Sequence, residues 1–171
     1  MLIFNQINYV VEPLNKKHNR QDFNCGIPSL DKYLKEQASQ DKNKYIAAPF
    51  IANDINKNKI IGYYTLSSSS VNLEDLPVNL TNKLPKYPLV FVILLGRLGV
   101  DFSYQKKGWG DLLLMDALSR CYQNEIAAMA VVVSAINDNA VRFYANYGFQ
   151  LFPDSNNYLL LPMKIIKNLF N

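Results

Sequence analysis

Residues 97–110 read RLGVDFSYQKKGWG, from Arg97 to Gly110, and the run that leads into them, Leu89 to Val100, is apolar except for Arg97. Such a run, opened by Pro88, predicts a central strand buried on both faces. The strand feeds a polar loop, and Gly108 and Gly110 stand where a helix begins. Leu112, Leu113, Met115, Leu118 and Tyr122 recur at helical spacing across residues 108–125. Glycines at that junction let backbone N–H groups approach a ligand, while the helix N-terminus offers unpaired donors and the positive end of a dipole. A diphosphate suits such a place, and Lys106 and Lys107 add charge to it. Neither GxxxxGK[ST] nor GxGxxG occurs here. Two glycines before a helix also occur in turns that bind nothing.

Working outward, residues 7–12 (INYVVE) predict a short strand. Pro28 suits a first helical turn, and Leu30, Leu34 and Ala38, four apart, predict an amphipathic helix over 28–41. Two apolar runs, 45–52 and 59–67, flank a turn-forming segment at 53–58 and predict a hairpin. Residues 72–88 contain three prolines (Pro77, Pro85 and Pro88) and predict a loop or a short helical excursion. Downstream, 127–135 predicts a second buried strand and 137–147 a short helix. Residues 150–152 and 158–163 predict closing strands, with a helical turn or two at 165–170. The order strand, helix, strands, helix, strand, helix, strands gives an α/β (α+β) domain around a mixed sheet.

At 171 residues the chain is one domain's worth of sequence, with 49% hydrophobic and 19% charged residues, an ordinary soluble balance. The purely apolar stretch 89–95 is far too short to span a bilayer, and residues 1–11 carry no secretory pattern. Two cysteines, Cys25 and Cys121, do not make a disulfide framework. A single histidine, His18, leaves little material for a metal site or a Ser-His-Asp triad, so no metal is expected. A reducing cytoplasm is the default. The net charge of +4 permits a polyanionic partner without requiring one.

Three short motifs occur in order. Gln105-x-x-Gly108-x-Gly110 resembles the pyrophosphate loop of the GNAT acetyltransferases, Asn137-x-x-Ala140 their asparagine motif, and Phe143-Tyr144-x-x-x-Gly148-Phe149 their aromatic motif. A narrower resemblance spans nearly the whole chain. Phe23 to Gly26, Leu30-Asp31-x-Tyr33-Leu34, Gly62 to Ser67, Leu84-Pro85 and Gly96 to Asp101 are similar to the GNAT toxins of bacterial toxin–antitoxin pairs. Where that group has alanine, this chain has Gly99.

The resemblance implies a GNAT fold, with splayed strands that bind acetyl-CoA. The backbone at Leu98, Gly99 and Val100 would pair with the pantetheine arm as an added strand. Gln105, Lys106, Lys107, Gly108, Trp109 and Gly110 would hold the pyrophosphate. Asn137, with Ala140 and Phe143 on the same helix, would contact the cofactor, cap the helix, or do both. Tyr144 would act as general acid toward the departing CoA sulfur; the alternative is a core tyrosine beside Phe143 and Phe149. The group acetylates the α-amino group of aminoacyl-tRNA, and its toxins are held by ribbon-helix-helix antitoxins and often pair as homodimers. Arg97, Lys32, Lys35, Lys83 and Lys86 are the candidates for RNA phosphates.

Arg97 also stands out on its own, because a buried arginine needs a partner. Residues 90–98 contain no carboxylate that could serve as a base. That absence fits an amine already largely neutral at physiological pH, as α-amino groups are and lysines are not, although Glu36, Glu74 or Asp75 could supply one from elsewhere. A small-molecule amine, a protein N-terminus, or a CoA-binding module without turnover remain alternative readings.

Overall fold

The computed structural model describes residues 6–171; of the N-terminal stretch read for a secretory pattern, residues 1–5 lie outside the described residues. Strand β1 (Tyr9–Pro13) is followed by α1 (Pro28–Lys32), a π-helical turn (Tyr33–Gln37) and α2 (Ala38–Asn43). Strands β2 (Ala48–Asp54) and β3 (Lys59–Asn72) come next. A 3-10 turn (Leu73–Asp75) and α3 (Val78–Thr81) lead to β4 (Leu89–Val100). A second 3-10 turn (Phe102–Tyr104) precedes α4 (Trp109–Gln123). The chain closes with β5 (Ala130–Ser134), α5 (Asp138–Ala145), β6 (Gln150–Leu151), β7 (Tyr158–Pro162) and α6 (Met163–Leu169). Among the described residues, no helix is long and apolar enough to cross a membrane.

Backbone hydrogen bonds order the strands β1-β2-β3-β4-β5-β7-β6 in a seven-stranded sheet. The β4–β5 ladder is parallel, and β1–β2, β2–β3, β5–β7 and β6–β7 are antiparallel, so the sheet is mixed as the sequence predicts. The β4–β5 register covers Ile93, Leu94 and Leu95 against Val131, Val132 and Val133. Beyond Leu95, β4 runs on for five residues to Val100 with no β5 partner in that register.

The chain divides into two compact units. One comprises the described residues up to Ser67 together with Gly96–Ala117. Its core gathers Leu14, Phe23, Leu30, Leu34, Ala38, Ile51, Ile60 and Tyr63. The other comprises Ser68–Leu95 and Leu118–Asn171, around Val71, Leu76, Val92, Ala130, Val132, Phe152 and Leu160.

Several sequence expectations need correction. The turn expected at 53–58 is shorter, because Asn53 and Asp54 belong to β2, paired with Ile60 and Lys59 across a bulge. The segment from Tyr45 is not yet strand: Tyr45 is left-handed at φ 58, and β2 starts at Ala48. Strand β3 does not stop at Ser67 but continues through the serines to Asn72. Serine disfavours strands only weakly, and pairing with a long neighbour overrides it. The helix predicted over 28–41 is interrupted by the π-helical turn. Strand β4 has the predicted bounds but is not buried on both faces: Leu89 and Phe91 are exposed, and only Val92, Leu95 and Gly99 are fully buried. Apolar composition states a preference, and what covers a face depends on elements far away in sequence.

Candidate active site

The loop that carries the first motif is built before any ligand arrives. Asp101 is 2% exposed and directly follows β4. One oxygen accepts the Ser103 N–H at 2.9 Å, capping the 3-10 turn, and the other accepts the Asn24 N–H at 3.0 Å. Lys59 lies 3.5 Å from the same carboxylate and donates to Ser103 Oγ at 2.8 Å. Gln105 donates through Nε2 to the Cys25 and Val100 carbonyls, at 2.9 and 2.8 Å. Its side chain therefore braces the loop, and its own N–H donates to the Phe102 carbonyl at 3.4 Å.

Lys106 at φ 60 and Gly108 at φ 87 are both left-handed, and Gln105 just before them is extended at φ -64, ψ 157. Left-handed residues in a turn are one ingredient of the backbone concavities that bind anions. Lysine in the left-handed region costs roughly 1 kcal/mol, a strain the pinned loop sustains. The Leu112 N–H then donates to the Gly108 carbonyl at 3.1 Å, which starts α4. The Trp109 side chain is 2% exposed, edge-on to Tyr9 at 4.9 Å. The indole is therefore part of the core. Tyr104 donates to the buried Asp54 at 3.0 Å; burial, then this bond, push its phenol up to about 12.

Two glycines set the path of β4. A Cβ at Gly62 would lie 2.7 Å from the Gly99 carbonyl oxygen and 2.7 Å from Leu113 Cδ1. Strand β3, β4 and α4 thus meet at a point with no room for a methyl group. At Gly99 itself, a Cβ would meet Cys25 Sγ and Leu30 Cδ1 at 3.5 Å, ordinary contact distances. Gly99→Ala should therefore fit and should restrict the unfolded chain. We expect it to raise Tm by roughly 1–4 °C, read by thermal unfolding. A fall in Tm would mean that the strand uses glycine's conformational freedom.

In the other unit, Asn137 caps α5 by accepting the Ala140 N–H at 2.8 Å, so its capping role is present. Tyr144 is 8% exposed, packed edge-on against Phe143 at 5.2 Å and Phe149 at 5.4 Å. Its hydroxyl has no hydrogen-bond partner among the described residues. Burial raises its pKa well above the ordinary phenol value, so the proton stays on at neutral pH.

The acetyltransferase (GNAT) domain model matches residues 93–166. The chain is 36% identical over 144 residues to a tRNA-acetylating toxin of Mycobacterium tuberculosis strain H37Rv, a match covering 83% of this chain and 84% of that protein. The chain belongs to the GNAT acetyltransferase family. Among solved GNAT toxins, AtaT complexed with acetyl-methionyl-tRNAfMet is 29% identical, with a TM-score of 0.87 over 96% of this chain and 100% of that one. A tyrosine-to-phenylalanine mutant of AtaT bound to the C-terminus of the antitoxin AtaR is 26% identical, with a TM-score of 0.81 over 95% and 98% of the two chains.

Of the basic residues singled out in this GNAT chain, three lie in the first unit and two in the second. Arg97 has found its partner: the guanidinium carbon sits 3.5 Å from the centre of the Tyr33 ring. Lys32 is exposed and lies 4.0 Å from Glu36, and Lys35 is half-buried. Lys83 and Lys86 are exposed on the segment between α3 and β4 of the second unit.

Sequence reasoning overlooked Asp41, although Tyr33, Gly62 and Asp101 stood inside quoted motifs. Asp41 accepts Gln37 Nε2 at 2.8 Å and the Tyr33 hydroxyl at 2.9 Å. The Gln37 bond foremost, then the Tyr33 bond and the charges of Arg97 and Lys44, hold its carboxyl below the usual range despite burial. A depressed carboxyl contributes stability above its unfolded value of about 3.9, and that contribution disappears as pH falls through the folded value. Asp41→Asn should thus lower stability at pH 7, with the two proteins converging below about pH 3.9. Denaturant titrations across that range check it; a constant difference at every pH would assign the loss to packing.

Proposed function

We propose that this chain is a toxin-type acetyltransferase that moves an acetyl group from acetyl-CoA to the α-amino group of aminoacyl-tRNA and so blocks translation. Its identity to the mycobacterial tRNA-acetylating toxin, over most of both proteins, carries this reading. The whole chain, 1–171, would act as one catalytic domain.

The residues present suit acetyl-CoA. The stretch of β4 that outlasts the β5 ladder offers backbone groups at Leu98, Gly99 and Val100 to the pantetheine amides. The left-handed turns at Lys106 and Gly108, ahead of a fifteen-residue helix, offer N–H groups to the pyrophosphate. Lys106 and Lys107 are both exposed; Lys107 already donates to the Ser103 carbonyl at 3.1 Å, bracing the loop it would serve. Asn137, Ala140 and Phe143 line the start and one face of the helix that carries Tyr144.

In the reaction, the neutral amine nitrogen attacks the thioester carbonyl, and the C–S bond breaks as the tetrahedral intermediate collapses. Tyr144 gives its phenolic proton to the departing sulfur. The attacking nitrogen loses a proton to solvent, and the Tyr144 phenolate takes one up from solvent, which restores the phenol for the next turnover. Arg97, Lys32, Lys35, Lys83 and Lys86 take RNA phosphates. The protein acts in the cytoplasm, paired as a homodimer and restrained by a ribbon-helix-helix antitoxin.

The test is transfer of label from radioactive acetyl-CoA to a total charged tRNA pool. Label in the RNA fraction, absent with uncharged tRNA, is the expected result. Saturable acetyl-CoA binding without label would overturn the tRNA substrate and redirect attention to peptides and small amines.

A further inference from the structure

Arg97 is the one charged residue in an otherwise apolar β4, and it is half-buried. A guanidinium has a flat face and five N–H donors in its plane. Here the face is taken by Tyr33, while none of the side-chain donors has an acceptor among the described residues. Stacking without in-plane hydrogen bonds leaves the donor edge available to an anion.

The platform under Arg97 is itself fixed. Tyr33 is 6% exposed and lies nearly parallel to Tyr63, at 14° and 6.3 Å between centroids. Its hydroxyl donates to Asp41, whose second oxygen is held by Gln37. Tyr33 and Gln37 are the first and last residues of the π-helical turn, and such wide turns occur often at functional sites. With both its oxygens engaged by Gln37 and Tyr33, Asp41 makes no direct ion pair with Arg97. It fixes the ring on which the guanidinium rests.

We propose that Tyr33 and Asp41 are positioning residues that hold the Arg97 guanidinium so that its in-plane donors take a phosphodiester of the RNA substrate. This rests on the acetyltransferase reading above, which also indicates why the anion is RNA rather than CoA. In that reading, pantetheine lies along Leu98–Val100 and the pyrophosphate at residues 105–110. The cofactor's phosphates are therefore toward the C-terminal end of β4. Arg97 comes before the pantetheine stretch, on the acetyl side, and its side chain alternates to the face opposite Leu98.

Steady-state kinetics with charged tRNA, at several salt concentrations, test the assignment. Arg97→Gln should raise the KM for charged tRNA at least tenfold and leave the KM for acetyl-CoA within twofold. It should also reduce the slope of log affinity against log salt by roughly 0.7–0.9, the share of one phosphate. Arg97→Lys keeps the charge but not the stacked plane, and should stay within threefold of Arg97→Gln. Tyr33→Leu should raise the tRNA KM about three- to fivefold with the charge intact. Tyr33→Phe, which keeps the ring and loses only the bond to Asp41, should raise it about twofold and guards against misfolding of the leucine variant. Bound acetyl-CoA, measured calorimetrically, confirms that each variant is folded.

An unchanged tRNA KM in both Tyr33 variants, or full rescue by Arg97→Lys, overturns the positioning role. A rise confined to the acetyl-CoA KM assigns the anion to the cofactor and overturns it equally. The substrate reading fails separately. If the unmodified enzyme transfers no acetyl to charged tRNA yet binds it by fluorescence anisotropy, and Tyr33→Leu weakens that binding, the clamp stands and the reaction does not. Absence of binding as well as transfer sinks both.

Discussion

Tyr144→Phe is expected to lower kcat for acetyl transfer by roughly 10²- to 10³-fold, within the range for loss of a general acid, while leaving acetyl-CoA affinity unchanged. The geometry makes this substitution clean. The ring packs between Phe143 and Phe149, and phenylalanine keeps that packing. The hydroxyl makes no hydrogen bond among the described residues, so its removal strands no partner and leaves the fold alone. Burial raises the phenol's pKa, which means its protonated form persists beyond pH 10, the ordinary tyrosine value. The kcat profile should then lack a basic limb from this group below pH 10, while rising at lower pH with deprotonation of the substrate amine. Single-turnover transfer to charged tRNA, with calorimetric titration of acetyl-CoA, reads both parts. A loss of less than threefold would remove Tyr144 from proton transfer and make it a core residue.

Gly62→Ala is expected to damage both stability and cofactor binding. The added methyl would sit 2.7 Å from the Gly99 carbonyl oxygen, and that obstacle is backbone, which cannot rotate away. Leu113, on the other side at the same distance, is fully buried in α4. Relief requires β3 to move from β4 or α4 to lift. Overpacking of this kind costs about 1–3 kcal/mol, and any shift of β4 falls on Leu98–Val100. We expect a drop in Tm of roughly 2–12 °C together with at least tenfold weaker acetyl-CoA binding. Chemical denaturation and calorimetry measure the two separately. A stable variant with undiminished binding would mean that the strands separate there without cost. Gly99→Ala, one strand away, is the matched control, since its methyl group has room.

The contrast between those two glycines shows what the sequence could and could not disclose. Leu89–Val100 was legible because a long apolar run between Pro88 and a polar loop has few other destinies, and its bounds agree with the structure. The helix after Gly108 was legible from its spacing, and Asn137 from the preference of asparagine for caps. The role of Gln105 was not. A pyrophosphate-loop pattern names the residue, but its side chain serves two carbonyls, one of them eighty residues away at Cys25. Asp41 was hidden for the same reason, since its task is to hold Tyr33 in place beneath Arg97, and no local pattern marks it. The serines at 67–70 and the residues at 53–54 misled because turn propensity is a weak local term that strand pairing overrides. Local chemistry is written in order along the chain, whereas the meeting of β3, β4 and α4 at Gly62 is written nowhere in particular.

The premature end of the β4–β5 ladder has a consequence for the protein's life without substrate. Unpaired strand edges invite any extended polypeptide to add itself, and proteins normally keep them short, charged or at the margin. This chain carries one in the middle of its strand order, flanked by apolar residues. Within the strand itself, Arg97 is the one charged residue. If acetyl-CoA lies along that edge, the co-substrate doubles as its caretaker: the loaded enzyme is sealed, and the empty one presents a sticky seam. Self-association in solution would then track the supply of acetyl-CoA, making the small molecule a solubility factor as well as a reactant.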